Sequence, residues 1–240
     1  MRRLLAGDIV LRRITIPEGF ALKEIAARLE NLGYGPKQEF LRLSRDREFL
    51  KSLDIAGPSL EGYLFPETYF AAIDASPRQL LSMMVKEFRK RVSTELVGAA
   101  KGQGLTLPQL VTLASIVQKE ARRIEEMPII ASVYHNRLRL RMPLQADPTV
   151  IYGIDNFNGK ITKADLLRFT PYNTYKIATL PPGPIASPGS DALHATAYPA
   201  RTNYLYFVAK GDGSHAFSAD LRSHNEAVRR YQLRHRPNGG

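Results

Sequence analysis

TLPQLVTLASIVQKEARR, residues 106–123, is the stretch of sequence that says most about the fold. Thr106, with Pro108 and Gln109 behind it, is typical of a helix start, because threonine caps the first turn and proline is tolerated there. At about 100° per residue, the apolar side chains form one stripe: Leu110, Leu113, Ala114, Ile116, Val117, Ala121 and, if the helix reaches it, Ile124. Glu120 falls inside this stripe, so a carboxylate is predicted on the apolar face, near the end of the helix.

Glu120 has two interpretations, and the helical periodicity does not decide between them. A buried carboxylate is costly unless it is protonated, paired or hydrogen-bonded. In the first interpretation, Glu120 reaches water at the edge of the stripe or pairs with Arg137 or Arg139. In the second, apolar surroundings raise its pKa, and the protonated side chain can donate a proton to a leaving group, as a glycosidase general acid does.

The remainder of the chain predicts an α+β fold in which helices come first and strands later. Residues 1–56 are expected to form a small unit of the βαα type, with a strand at 8–17 and a helix that ends at Gly33. Residues 59–69, SLEGYLFPETY, predict an edge strand or an extended loop. Beyond them, the patterns indicate helices near 77–92, 127–140 and 221–234, and a β-hairpin at 203–218 that turns at Gly211-Asp212-Gly213.

The composition restricts the classes of function. The 240-residue chain has no cysteine, which excludes disulfides, thiolate zinc sites and cysteine nucleophiles. Its five histidines lack metal-ligand spacing, and the nucleophile-elbow, phosphate-loop and dinucleotide motifs are all missing. A net charge of +11 favours a polyanionic partner such as nucleic acid, anionic lipid or the cell wall. We therefore expect neither a metal nor another cofactor, and no apolar run approaches the roughly 20 residues that span a bilayer.

Several blocks of the sequence resemble the endolytic murein transglycosylase family, the YceG-like proteins. Leu113–Ala121, LASIVQKEA, is similar to the catalytic-helix motif of that family. Further similar blocks follow in family order: ASVYHNRL at 131–138, MPLQADPTVIYG at 142–153, PYNTY at 171–175, LPPGPIASPG at 180–189, YLYFVA at 204–209 and SHN at 223–225. Upstream, LEGYLFPETY at 60–69 resembles the entrance to the family's catalytic domain.

The resemblance implies a division of the chain into two parts. Residues 1–56 resemble, more weakly, the LysM-like unit that precedes the catalytic domain, with the opening strand cut short. Residues 57–240 are then expected to be the YceG-like catalytic domain. Family members usually carry an N-terminal membrane-spanning helix, which this sequence lacks. By analogy with the family, we expect the natural protein to be anchored in the inner membrane, with its catalytic domain on the outer, periplasmic side.

The family's reaction is the cleavage of the MurNAc–GlcNAc β-1,4 bond of peptidoglycan without water. The C6 hydroxyl of MurNAc attacks its own anomeric carbon and leaves a 1,6-anhydro end, and Glu120 is implied as acid and then base. Because the nucleophile belongs to the substrate, one carboxylate can serve both steps. Many relatives carry a second glutamate two positions earlier, where this chain has Gln118, so Glu120 is the only carboxylate of the motif.

The same resemblance supplies the remaining candidates. Substrate-binding residues are expected among the turn-rich segments and the aromatic stretch: Gln145, Asp147, Tyr172, Asn173, Tyr175 and Tyr63. The expected partners are glycan strands and the peptidoglycan synthases of elongation or division, with a role in terminating nascent strands and no role for nucleic acid. Two alternatives remain open: a non-catalytic glycan- or nucleic-acid-binding module, and a hydrolytic muramidase.

Overall fold

The computed structural model describes residues 10–154 and 157–233, which divide into two units. Within these ranges, the first unit comprises residues 10–93 with Ala186–Gly189, and the second comprises residues 94–154, 157–185 and 190–233. Helices outnumber strands and the two small sheets are antiparallel, which confirms the predicted α+β class. Within the described ranges, no helix has the length and apolar character needed to cross a membrane.

The first unit is built on a two-stranded sheet covered by helices. Its elements are β1 (Leu11–Thr15), α1 (Leu22–Asn31), α2 (Lys37–Leu43), α3 (Arg47–Ser52), β2 (Thr68–Ala72) and α4 (Pro77–Arg91). β1 and β2 pair antiparallel, from Leu11 opposite Ala72 to Thr15 opposite Thr68. The apolar faces of α1, α2 and α4 meet the sheet in one core that includes Ile14, Leu29, Phe40 and Met84.

This unit extends beyond residue 56, where the sequence analysis placed a boundary. A lone strand leaves its backbone donors and acceptors unpaired, and β1 finds its partner in β2, more than 50 residues later along the chain. α4 then packs against α2. Strand pairing at this separation leaves no local pattern in the sequence. The sequence therefore predicted only that, within residues 11–52, a strand is followed by a helix and then by short helices.

The second unit is a helical bundle that ends in a β-hairpin. Its elements are α5 (Thr94–Gly102), α6 (Leu107–Glu120), α7 (Met127–Arg139), α8 (Asp147–Tyr152), α9 (Lys163–Leu167), α10 (Ser190–Ala197), β3 (Tyr206–Ala209), β4 (His215–Ser218) and α11 (Leu221–Val228). α10 packs against both α6 and α7. β3 and β4 form the predicted hairpin, with Tyr206 opposite Ser218 and Ala209 opposite His215.

Several elements differ from the predictions. α5, α8, α9 and α10 were not predicted, since each is short and three of them lie in turn-rich sequence. α6 ends at Glu120 because Ala121 has extended backbone angles, φ −71° and ψ 130°. Ile124 therefore does not continue the apolar stripe and is 60% exposed. α11 is followed by a π-helical turn at Arg229–Leu233, and residues 8, 9 and 234 of the predicted elements lie outside the described ranges.

Candidate active site

Glu120 is the last residue of α6, and the apolar stripe leads directly to it. At the other end of this helix, Thr106 is the predicted N-cap, and it forms a capping box with Gln109. The stripe residues Leu110, Leu113 and Val117 are fully buried. Since the helix stops immediately after Glu120, the carboxylate lies where the bundle core meets an open space.

That space is a cavity of about 510 Å³ within the second unit. Its walls come from the end of α6, from α7, from the loop that leads into α8, and from Tyr175. The opposite side is formed by β3, β4 and α11. Glu120 therefore faces a space large enough for a sugar-sized ligand, between two sets of elements that are distant in sequence.

The surroundings of Glu120 favour its protonated form. Burial, and secondly the negative charge of Asp147, raise its pKa to about 7, against a hydrogen bond from Tyr134 that lowers it. The Tyr134 hydroxyl, itself buried, donates to Glu120 Oε1 at 3.2 Å. Burial and the same carboxylate raise the pKa of Tyr134, so that this hydroxyl stays a donor. A carboxyl group with such a pKa can both give and take a proton near neutral pH.

The alternative in which Glu120 pairs with an arginine does not match the contacts. The Arg137 guanidinium donates to the carbonyls of Leu205 at 2.6 Å and Leu144 at 2.9 Å, not to Glu120. Arg139 donates to the side chain of Asn136. The partner of Glu120 is the neutral Tyr134 hydroxyl, which favours the general-acid interpretation.

A second carboxylate lines the same cavity. Asp147 is the first residue of α8 and is exposed. The Tyr175 hydroxyl donates to its Oδ1 at 2.6 Å. Burial and this bond raise the pKa of Tyr175. Tyr175 thus holds Asp147 in place at the N-terminus of α8, and the negative charge of Asp147 raises the pKa of Glu120.

Gln145 completes this side of the cavity in an unusual backbone conformation. Its φ is +52°, in the left-handed region that non-glycine residues rarely adopt. Its backbone N–H donates to the carbonyl of Thr174 at 3.1 Å, and its side-chain Oε1 accepts from Arg137 Nη1 at 3.2 Å. Side chains in such conformations often belong to functional sites.

The structure brings four of the seven predicted site residues together. Glu120, Gln145, Asp147 and Tyr175 all line the cavity. Tyr63 lies in the first unit, where it is buried and its ring meets that of Phe88 edge to face at 5.2 Å. Core packing alone therefore accounts for an aromatic side chain at this position, without contact to a ligand.

Asn173 and Tyr172 are not among the residues that line the cavity. Asn173 is buried, and its Nδ2 donates to the carbonyls of Asp165, Leu166 and Arg168 at 3.3, 3.1 and 2.6 Å. Its Oδ1 accepts from the backbone N–H of Tyr175 at 2.9 Å. Asn173 thus orders the loop that presents Tyr175.

Tyr172 packs against another aromatic ring outside the cavity lining. Its ring lies 4.8 Å from that of Tyr152, in a tilted arrangement. Tyr172 is close to Tyr175 in sequence, but its ring packs on Tyr152 of α8 and does not line the cavity. The sequence alone could not separate it from Tyr175, because both belong to the same turn-rich block.

One wall of the cavity consists of residues that were not predicted from the sequence. Tyr206 and His215 on the hairpin and His224 on α11 line it. His224 stacks on Tyr206 at 5.1 Å between ring centroids, and the Arg137 guanidinium lies over Tyr206 at 5.1 Å. The blocks YLYFVA and SHN contain Tyr206 and His224, but no periodicity relates them to a helix some 100 residues earlier.

His215 is held by the carboxylate of Glu126, in the 3₁₀ turn Ile124–Glu126 that precedes α7. Its Nδ1 lies 2.7 Å from Glu126 Oε2, and its backbone N–H donates to Glu126 Oε1 at 3.0 Å. These two contacts attach the hairpin to the 3₁₀ turn before α7. Over the described residues, no group of three or more His, Asp or Glu side chains is arranged to hold a metal ion.

Comparison with known proteins identifies the family. The model of the YceG-like family matches residues 1–230. The chain is 37% identical to an endolytic murein transglycosylase of Bacillus subtilis, over 91% of this chain and 65% of the relative. It is 33% identical to the endolytic murein transglycosylase of Streptococcus pneumoniae, over 83% of this chain and 41% of the relative.

A solved structure has the same fold. The crystal structure of a YceG-like protein from Listeria monocytogenes superimposes with a TM-score of 0.81 at 35% sequence identity. The match covers 94% of this chain and 79% of that one. The chain spans less than two thirds of the length of the curated relatives described above. With the family model matched along nearly its whole length, the chain belongs to the YceG-like family.

Proposed function

We propose that this chain cleaves the glycan strands of peptidoglycan as an endolytic lytic transglycosylase, with Glu120 as its acid and base. The observation that carries the proposal is a carboxyl group with a pKa of about 7 at the edge of a 510 Å³ cavity. An ordinary surface glutamate would be ionised at neutral pH and could not protonate a leaving group. The names of two relatives support the same substrate.

The proposed reaction breaks the β-1,4 bond between MurNAc and GlcNAc in two proton transfers. Glu120 protonates the glycosidic oxygen as the bond to the anomeric carbon of MurNAc breaks, and the GlcNAc hydroxyl leaves. The carboxylate then takes the proton of the MurNAc C6 hydroxyl, whose oxygen bonds to the anomeric carbon. This closes a 1,6-anhydro ring, consumes no water and returns Glu120 to its protonated form.

Asp147 and Tyr175 have supporting roles in this proposal. The bond-breaking transition state resembles an oxocarbenium ion and carries positive charge on the sugar ring. The Asp147 carboxylate, fixed by the Tyr175 hydroxyl at 2.6 Å, lies in the same cavity and can stabilise that charge. The same negative charge helps Glu120 to keep its proton before the reaction.

A hydrolytic muramidase is the second candidate, and Asp147 is the observation that favours it. Hydrolysis needs a second carboxylate that activates water or attacks the sugar. The sequence motif contains only Glu120, but the folded chain places Asp147 on the same cavity. The two reactions differ in the fate of water, and this difference can be measured.

Digestion of purified glycan strands in heavy-oxygen water tests the proposal. A transglycosylase leaves 1,6-anhydro ends that are lighter by one water than hydrolytic products and carry no label. Stoichiometric labelling of the new ends would establish a muramidase instead. Binding without any cleavage, retained in Glu120→Gln, would indicate a non-catalytic glycan-binding module.

The cellular setting follows from the resemblance and is part of the same proposal. We infer that a LysM-like first unit precedes the catalytic domain, and that an inner-membrane anchor holds the catalytic domain on the periplasmic side. There it would end nascent strands made by the peptidoglycan synthases of elongation or division. Co-purification of the membrane-anchored protein with a synthase after crosslinking would support this setting, and recovery in the cytoplasmic fraction would contradict it.

A further inference from the structure

Arg137 is a buried cation whose contacts join both sides of the cavity. Its Nε donates to the carbonyl of Leu205, just before β3, at 2.6 Å. Its Nη1 donates to the carbonyls of Pro143 and Leu144 at 3.0 and 2.9 Å and to Gln145 Oε1 at 3.2 Å. The side chain is only 7% exposed. A guanidinium held this way has little freedom to reorient.

The contact between Arg137 and Gln145 determines which end of the amide is available. A guanidinium has only N–H donors, so the amide atom that faces it must be the oxygen. The amide nitrogen of Gln145, Nε2, then makes no hydrogen bond to the protein among residues 10–154 and 157–233. Gln145 is exposed and lines the cavity with Glu120 and Asp147. The side chain therefore offers two N–H donors to a ligand, beside two carboxyl groups.

The backbone of Gln145 strengthens this interpretation. A φ of +52° is strained for a residue with a β-carbon. The Arg137 bonds to the two preceding carbonyls and the bond from Gln145 N to Thr174 O hold the residue there. The strain places the side chain on the cavity wall, where an exposed glutamine gains nothing from packing.

We propose that Arg137 is a positioning residue that orients the Gln145 amide, and that Gln145 binds a carbonyl or hydroxyl oxygen of the substrate through Nε2. This inference rests on the proposed function, because its assay is the cleavage of glycan strands. It adds that the substrate atom bound by Gln145 is a hydrogen-bond acceptor close to the bond that is cleaved. A substrate N–H at this position would meet a donor and be rejected.

Gln145→Glu is the decisive variant, because it keeps the shape and reverses the hydrogen-bonding character. A carboxylate strengthens the contact with Arg137, so the melting temperature should be unchanged or higher. It has no N–H to offer, so kcat/KM on purified glycan strands should fall at least roughly tenfold. The added negative charge also raises the pKa of Glu120, so the comparison is made between the plateaus of full pH profiles. Activity within twofold of wild type would overturn the donor role.

The positioning role of Arg137 is tested by a double-mutant cycle. If Arg137 acts through Gln145, then Arg137→Met and Gln145→Ala should each lower kcat/KM. The kcat/KM of the double variant should then be no lower than that of the less active single variant. Arg137→Lys keeps the charge without the planar fork and should retain intermediate activity. Fully additive losses would contradict the coupling. Arg139→Met, which removes an exposed arginine outside the cavity lining, is the matched control.

The inference and the proposed function fail in different ways. If the wild-type protein releases no product from glycan strands, the proposed function is wrong. If the wild type cleaves and Gln145→Glu cleaves equally well, only the donor role is wrong. If Arg137→Met does not fold, Gln145→Glu still decides the donor role of Gln145, and Arg137→Lys still tests the positioning role of Arg137.

Discussion

At the scale of single residues, Glu120 is the side chain on which the proposed chemistry depends. Glu120→Gln keeps the shape but cannot carry a proton, so turnover on glycan strands should fall by about 10²–10⁴-fold. Product release from purified strands is the measurement. More than about a tenth of wild-type turnover in this variant would contradict the acid/base role, whereas the same change at the exposed Glu125 should leave turnover intact.

The same variant should be more stable than wild type at alkaline pH. The pKa of Glu120 is raised from 4.5 to about 7 in the folded chain, so the folded state binds its proton more tightly than the unfolded chain. The cost of ionising Glu120 is therefore absent below pH 4.5 and complete above pH 7. Glu120→Gln removes that cost, which is on the order of 3 kcal/mol for such a shift. Denaturant unfolding at pH 4 and pH 8.5 checks it, and an equal effect at both pH values would contradict the shift.

In the proposed mechanism, Tyr134 sets the upper end of the pH range in which Glu120 can act as an acid. The first step needs protonated Glu120, so kcat/KM should fall as the pH rises above about 7. The hydrogen bond from Tyr134 lowers this pKa, and Tyr134→Phe should therefore move the alkaline limb to higher pH. The pH dependence of kcat/KM for the two proteins is the measurement. A limb that stays in place, or moves to lower pH, would show that the bond does not stabilise the carboxylate.

At the scale of elements, the loop after α9 depends on one buried amide. The two N–H groups of the Asn173 amide are shared among three backbone carbonyls, and its Oδ1 accepts the backbone N–H of Tyr175. Asn173→Ala should lower the free energy of unfolding by about 1–3 kcal/mol, because partly buried backbone carbonyls lose their donor. Thermal unfolding measures this, with the exposed Lys176→Ala as the matched control. A loss below about 0.5 kcal/mol would mean that the loop is held by other contacts.

The elements also show where local pattern was sufficient. The N-cap pattern at Thr106 predicted the start of α6, and the glycines at 211 and 213, with φ of +93° and +85°, predicted the hairpin turn. These signals lie within a few residues of the structure they determine. The short helices α8, α9 and α10 carry weaker signals, because their formation depends on packing more than on helix propensity.

At the scale of the whole molecule, the net charge predicts how the protein would bind the proposed glycan substrate. A net charge of +11 attracts acidic polymers. The affinity of Glu120→Gln for peptidoglycan strands with acidic peptide stems should therefore fall as salt rises from 50 to 500 mM, roughly in proportion to the contacts screened. Co-sedimentation with strands measures it. Duplex DNA at 150 mM salt is the control polyanion, and tighter binding to DNA than to strands would favour the nucleic-acid-binding alternative.

The sequence by itself determined the fold class, the position of Glu120 on the apolar face of α6, and the family to which the chain belongs. It also named Gln145, Asp147 and Tyr175, which share the cavity with Glu120. Each of these rests on local periodicity, on turn residues or on blocks in a characteristic order. Asn173 and Tyr63 belonged to the same blocks, and the sequence could not distinguish a side chain that orders a loop or fills a core from one that faces a ligand.

The tertiary structure alone decided which residues surround Glu120. The pairing of β1 with β2 extends the first unit past residue 56. In the second unit, the hairpin and α11 supply the opposite wall of the cavity, and Arg137 joins that wall to the Gln145 loop. The pKa of Glu120 also depends on Asp147, 27 positions later. Burial and electrostatic interactions depend on distance in space, and that distance is determined only when the chain has folded.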